Sequence, residues 1–66
     1  MTFTINGLAR VIEDAATVAD VVAVLGLPAA TVLVEHNGTA LRRTEWNETN
    51  VRDGDTFEVM QISAGG

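Results

Sequence analysis

Met1-Thr2-Phe3-Thr4-Ile5-Asn6-Gly7-Leu8-Ala9-Arg10-Val11-Ile12, then a connector Glu13-Asp14-Ala15-Ala16, then Thr17-Val18-Ala19-Asp20-Val21-Val22-Ala23-Val24-Leu25-Gly26, is the stretch whose reading decides the fold. Met1, Phe3 and Ile5 are apolar at every second position, the period of a half-buried strand. Asn6-Gly7 supplies the positive φ of a type I′ hairpin turn, so Leu8–Ile12 reads as the return strand. From Thr17 the period changes. Val18, Val21, Val22 and Leu25 fall at i, i+3, i+4 and i+7, one apolar stripe on a helix. The Thr17 hydroxyl suits the cap, and Asp20 stands three residues on, at capping-box spacing. Gly26 fits the left-handed position that ends the helix, and Pro28 prevents its continuation. Valines are poor formers of isolated helices, so a sheet beneath must hold this one.

Working outward, Thr31–His36 reads as a third strand, closed by a second Asn-Gly pair at Asn37-Gly38 and followed by a short strand over Thr39–Leu41. Thr44-Glu45-Trp46-Asn47 reads as a single helical turn with Thr44 as its cap. Asp53-Gly54-Asp55 is turn chemistry. Thr56–Ile62 is the last strand, with Phe57, Val59 and Gln61 on one face and Glu58, Met60 and Ile62 on the other. The order ββαββ, turn, β gives a two-layer α+β sandwich. Placing the first and last strands parallel at its centre makes it a ubiquitin-like β-grasp: a mixed sheet of about five strands on one helix. The tail Ser63-Ala64-Gly65-Gly66 is expected to be flexible.

The chain has 66 residues, room for one small domain over 1–66, with 63–66 as its functional tail. A domain of this size buries only about 60% of its unfolded surface. With no cysteine it has neither disulfides nor thiolate metal sites to reinforce it. Nine acidic residues against four arginines give a net charge of −5, and there is no lysine. Without a basic cluster, nucleic acid and anionic membranes are excluded as expected partners. No apolar run approaches a membrane span, and no signal-peptide pattern opens the chain, so a cytoplasmic protein is expected.

The usual catalytic groupings are missing. There is no cysteine nucleophile, no lysine for a Schiff base and no glycine-rich phosphate loop. His36 reads as a surface residue at a strand end, and a triad with Ser63 would lack a rigid elbow. Glu45, Glu48, Asp53 and Asp55 lack the ligand series of a calcium loop. Trp46 reads as a lid over the open edge of the core, its indole N–H bonded to backbone or water. Arg42-Arg43 reads as a solvated face with one packing stem.

Two features stand out. Gly65-Gly66 directly follows the last strand of a β-grasp, and two residues without Cβ make the thinnest chain for threading a channel and presenting a bare carboxylate. Four residues beyond Ile62 reach roughly 13–14 Å when extended, enough to enter another protein's active site. Second, Met60 and Ile62, joined by Leu33, are placed on the open face of the sheet as an apolar patch of the kind that marks partner sites.

At these residues the sequence resembles the ThiS family, the sulfur carriers of thiamine biosynthesis. The resemblance runs through Asn6-Gly7, Ala16-Thr17-Val18-Ala19-Asp20, Val34-Glu35-His36-Asn37-Gly38, Arg43-Thr44-Glu45-Trp46, Asp53-Gly54-Asp55 and Ala64-Gly65-Gly66. Members often carry a proline where Arg42 stands. The resemblance implies a protein co-substrate with no active site and no bound cofactor of its own. A ThiF-like adenylyltransferase would adenylate the Gly66 carboxylate with ATP and Mg2+. Sulfur from a cysteine desulfurase or another donor would displace AMP to leave a thiocarboxylate, and the thiazole synthase ThiG would take up that sulfur. Ser63, Ala64 and Gly65 would be the recognised tail, and Met60, Ile62 and Leu33 the partner surface. A carrier for molybdopterin, cysteine or tRNA thiolation, related to MoaD, is an alternative, as is a non-covalent ubiquitin-like binding module.

Overall fold

The computed structural model describes residues 1–62. Strands β1 (Thr2–Ile5) and β2 (Leu8–Val11) form the first hairpin, and helix α1 (Val18–Leu25) follows. A 3-10 turn over Ala29–Thr31 leads into β3 (Val32–His36), which turns into β4 (Thr39–Leu41). A second 3-10 turn, Arg43–Glu48, precedes β5 (Thr56–Gln61). The order across the sheet is β2-β1-β5-β3-β4. β1 and β5 pair in parallel, and every other pairing is antiparallel. The expected β-grasp is therefore the observed fold. Thr31 belongs to the 3-10 turn rather than to the third strand, and Ile12 and Ile62 lie just outside theirs.

One face of the sheet packs on α1. Phe3, Ile5, Val32, Val34, Phe57 and Val59 are buried there with Val18, Val21 and Val22. The Phe3 and Phe57 rings meet edge to face, centroids 5.6 Å apart. Burying a valine side chain fully stabilises by roughly 1.5–3 kcal/mol, several times the helix-propensity deficit of well under about 1 kcal/mol, so the sheet decides the helix. Its start is locked as expected: Asp20 Oδ2 accepts from the Ala16 and Thr17 N–H groups at 2.8 and 3.0 Å. Gly26 ends it at φ 72°.

The second 3-10 turn departs from expectation in two ways. Its cap position is Arg42, whose N–H donates to Glu45 Oε1 at 2.7 Å, so the carboxylate inside the turn does the capping and the Thr44 hydroxyl does not. Trp46 is 4% exposed and belongs to the core, yet its indole N–H has no hydrogen-bond partner among the described residues. The expected position at the core's open edge is corrected: the ring is enclosed within the core.

Both Asn-Gly turns do more than reverse the chain. Asn6 and Asn37 sit at φ 51° and 49°, which rotates their own carbonyls away from β5. The Asn6 side chain fills the rung so vacated, with Nδ2 donating to Val59 O at 3.0 Å and Oδ1 accepting from Val59 N–H at 2.7 Å. Asn37 Oδ1 likewise accepts from Thr56 N–H at 2.9 Å. Each amide prolongs a main-chain ladder on one side of β5. Replacing Asn6 by glycine keeps the turn conformation and removes both bonds to Val59. We expect Asn6→Gly to destabilise the fold by about 1–3 kcal/mol, read as a lower denaturation midpoint with an unchanged m-value.

Candidate functional site

The residues that position the site belong to β5. It lies between β1 and β3, so its backbone is bonded on both sides, and at its end the Ile62 N–H donates to Thr31 O at 2.6 Å. The chain therefore reaches Ile62 along the central strand of the sheet. Ser63, Ala64, Gly65 and Gly66, the expected tail, lie outside the described residues.

Beside that end, Leu33 and Met60 are direct cross-strand partners on β3 and β5. Ile62 follows Met60 by two positions on the same face. Leu33, Met60 and Ile62 are each 48–49% exposed. The three residues that the sequence assigned to a patch are together on the face away from α1. Next to them, toward the start of β5, Glu35 and Glu58 stand opposite one another as the following rung. Glu58 was placed on this face by its alternation, but its pairing with Glu35 needs the strand register and could not be read from sequence.

The polar residues collect at the other end of β5. His36 Nε2 and Asp55 Oδ2 are 2.8 Å apart, each side chain 13% exposed, and the imidazole lies 5.0 Å from the Phe57 ring centroid. The strand-end position of His36 is as expected, but the expectation of a surface residue is corrected, because Phe57 and Asp55 cover it. Asp55 also accepts from the Arg52 N–H at 2.8 Å and from Asn37 Nδ2 at 3.1 Å. Burial pushes its carboxyl up, but the hydrogen bonds from His36, Arg52 and Asn37 outweigh it and hold the carboxyl below its ordinary value. The turn Asp53-Gly54-Asp55 is thus also a knot, with Asp53 Oδ1 accepting from the Thr2 N–H at 2.6 Å.

Ile62 lies seven positions on from Asp55, roughly 23 Å of extended strand, so this pair and the apolar patch stand at opposite ends of β5. No cluster of metal-ligating side chains and no cavity is present among the described residues. No helix is long and apolar enough to cross a membrane. Arg42 and Arg43 are both exposed.

Fold and site together define a ubiquitin-like β-grasp domain with an apolar patch beside the end of its central strand. The chain belongs to the ThiS family, whose model matches residues 3–66. The crystal structure of the thiamine biosynthesis protein ThiS from Geobacter metallireducens is similar to it at 33% identity and a TM-score of 0.81, with 100% of each chain covered. An NMR solution structure of a thiamine biosynthesis protein from the same organism gives 33% identity and a TM-score of 0.80, covering 100% of this chain and 88% of that one. No curated protein matches the chain. Family membership supports a sulfur-carrier role.

The pH dependence of stability tests the Asp55 knot. A carboxyl held below its unfolded value stabilises the fold above that value, 3.8, and the contribution is lost as pH falls through the folded one. We expect thermal unfolding temperatures to drop as pH falls below about 4, and to drop less steeply in Asp55→Asn, whose stability at neutral pH is already lower.

Proposed function

We propose that this protein carries sulfur as a thiocarboxylate on Gly66 for the thiazole step of thiamine biosynthesis. The observation that carries the reading is the family match, which extends over residues 3–66 and so through the Gly-Gly end. With no cysteine in the sequence, transferable sulfur has no side-chain thiol to occupy, and a carboxylate is the remaining acceptor.

The chemistry requires activation, because a carboxylate is a poor acyl donor. A ThiF-like adenylyltransferase uses ATP and Mg2+. The Gly66 carboxylate oxygen attacks the α-phosphorus, pyrophosphate leaves, and an acyl adenylate forms. The outer sulfur of a donor persulfide, formed by a cysteine desulfurase or another donor, then attacks the acyl carbon and AMP departs; a thiol reductant cleaves the resulting acyl disulfide, leaving the thiocarboxylate and an oxidised disulfide. ThiG receives that sulfur into the thiazole precursor. Ser63, Ala64 and Gly65 are the segment threaded into each active site, where side chains larger than a hydroxymethyl would obstruct a narrow channel. Leu33, Met60 and Ile62 are the surface on which these enzymes seat the domain. The protein itself acts as co-substrate, not as enzyme.

Incubation with ATP, Mg2+, a ThiF-type enzyme and a sulfur source, followed by intact-mass measurement, tests this. The expected result is a gain equal to exchanging one oxygen for sulfur. It is absent in a variant lacking Gly66 and in one with an alanine appended after Gly66. An unchanged mass with a demonstrably active enzyme overturns the thiamine assignment, and a shift with a molybdopterin-type activating enzyme instead redirects the pathway.

A further inference from the structure

The charged side chains of this chain are unevenly placed. None falls between Asp20 and Glu35, and none follows Glu58. Burial does not explain the first gap, because Ala23, Val24, Gly26, Pro28, Ala29 and Ala30 are all exposed, Val24 at 48%. Local stability runs against it: a cation in the last turn of α1 would favour the helix, and that turn has none. Solubility runs against it too, since exposed apolar side chains gathered in one place promote association. The end of α1 and the link that follows it are therefore an apolar surface on the helix side of the fold, free of charge in a molecule whose net charge is −5.

This surface meets the end of β5. The Thr31 N–H and hydroxyl both donate to Pro28 O, at 2.9 and 2.8 Å, and Thr31 O accepts from the Ile62 N–H. The turn that carries Ala29 and Ala30 is thus tied to Ile62, where the chain passes from the helix layer to the sheet. Resting on the carrier reading, we propose that the adenylyltransferase that activates Gly66 grips the domain from the helix side as well, covering Val24, Pro28, Ala29 and Ala30 with an apolar surface of its own. Three considerations select this occupant. Four residues beyond Ile62 reach roughly 13–14 Å when extended, so an active site that holds Gly66 must bring its walls against whatever surrounds Ile62. Charged residues are depleted at the core of protein interfaces, and this rim carries none. A second copy of the chain seated here would close off the end that a carrier has to offer. With walls in both layers, the domain cannot pivot about its tail.

The test measures KM and kcat of the adenylyltransferase, with ATP and Mg2+, for the unsubstituted chain and for V24E, A30E and V11E, following pyrophosphate release. All three positions are exposed, so the fold is kept. Val11, opposite Thr2 and near the start of β5, is the control that adds the same charge away from the rim. V24E and A30E are expected to raise KM about 10-fold with kcat unchanged, because each buries a carboxylate against an apolar wall. V11E should leave KM as it is. A KM in V24E and A30E equal to that of the unsubstituted chain overturns the inference and leaves the carrier reading intact. An equal rise in V11E assigns the effect to net charge, and slower sulfur delivery to ThiG at unchanged KM assigns the surface to the acceptor enzyme; either overturns it. So does a concentration-dependent dimer of the free chain that V24E abolishes, which gives the surface to a second copy. Hydrogen exchange on the unsubstituted chain decides without any variant: amides within Gly26–Thr31 should exchange more slowly under saturating enzyme, and unchanged exchange overturns the proposal. Absence of any acyl adenylate on the unsubstituted chain overturns the carrier reading, and this inference with it.

Discussion

The backbone of β5 has ladder partners on both sides, and most of the molecule is arranged around satisfying them. Parallel β1 supplies one side through the Thr4 and Asn6 N–H groups, which donate to Asp55 O and Phe57 O. Antiparallel β3 supplies the other over five consecutive residue pairs. Where β1 and β3 turn away into their hairpins, a buried strand would be left with unpaired N–H and C=O groups, a cost of about 1–3 kcal/mol each. Asn6 and Asn37 prevent that with their amides. Asparagine is the residue for both tasks at once. It tolerates the left-handed conformation, and its amide offers donor and acceptor together, which aspartate at neutral pH cannot.

That arrangement settles the rest of the packing. With β5 fixed, Phe57 and Val59 face α1, while Glu58 and Met60 face away from it. The helix, short and rich in valine, is held by what lies beneath it and by its tie to the loop before β5, where Val18 N–H donates to Thr49 O and Val51 N–H to Ala16 O. The two ends of β5 then diverge in character. The polar knot of His36, Asn37 and Asp55 holds its start, and the apolar and acidic rungs accompany its exit.

Strands, helix and turns were legible in the sequence because each rests on a local period or on a residue with one dominant conformational use. What escaped depends on which residues the fold brings side by side. Asn6 meets Val59 across 53 positions and His36 meets Asp55 across 19, and no local pattern encodes either pairing. The second 3-10 turn misled for a different reason. Thr44 resembles a cap, but Glu45 can reach the Arg42 N–H with a charged acceptor, which makes the stronger hydrogen bond. Trp46 showed that a residue read as half-wet can be wholly enclosed when the segment carrying it packs against α1.

The central position of β5 has a consequence for synthesis. β1 and β3 are not neighbours in the sheet; β5, the last strand in the chain, lies between them. A nascent chain that has produced the first hairpin, the helix and the second hairpin therefore holds two separate pieces of sheet with a gap where the core should close. Closure waits for a contact between segments some fifty residues apart, the kind of distant pairing that makes folding slow. Chains truncated before Thr56 lack the strand that joins the two halves of the sheet and cannot adopt the finished shape.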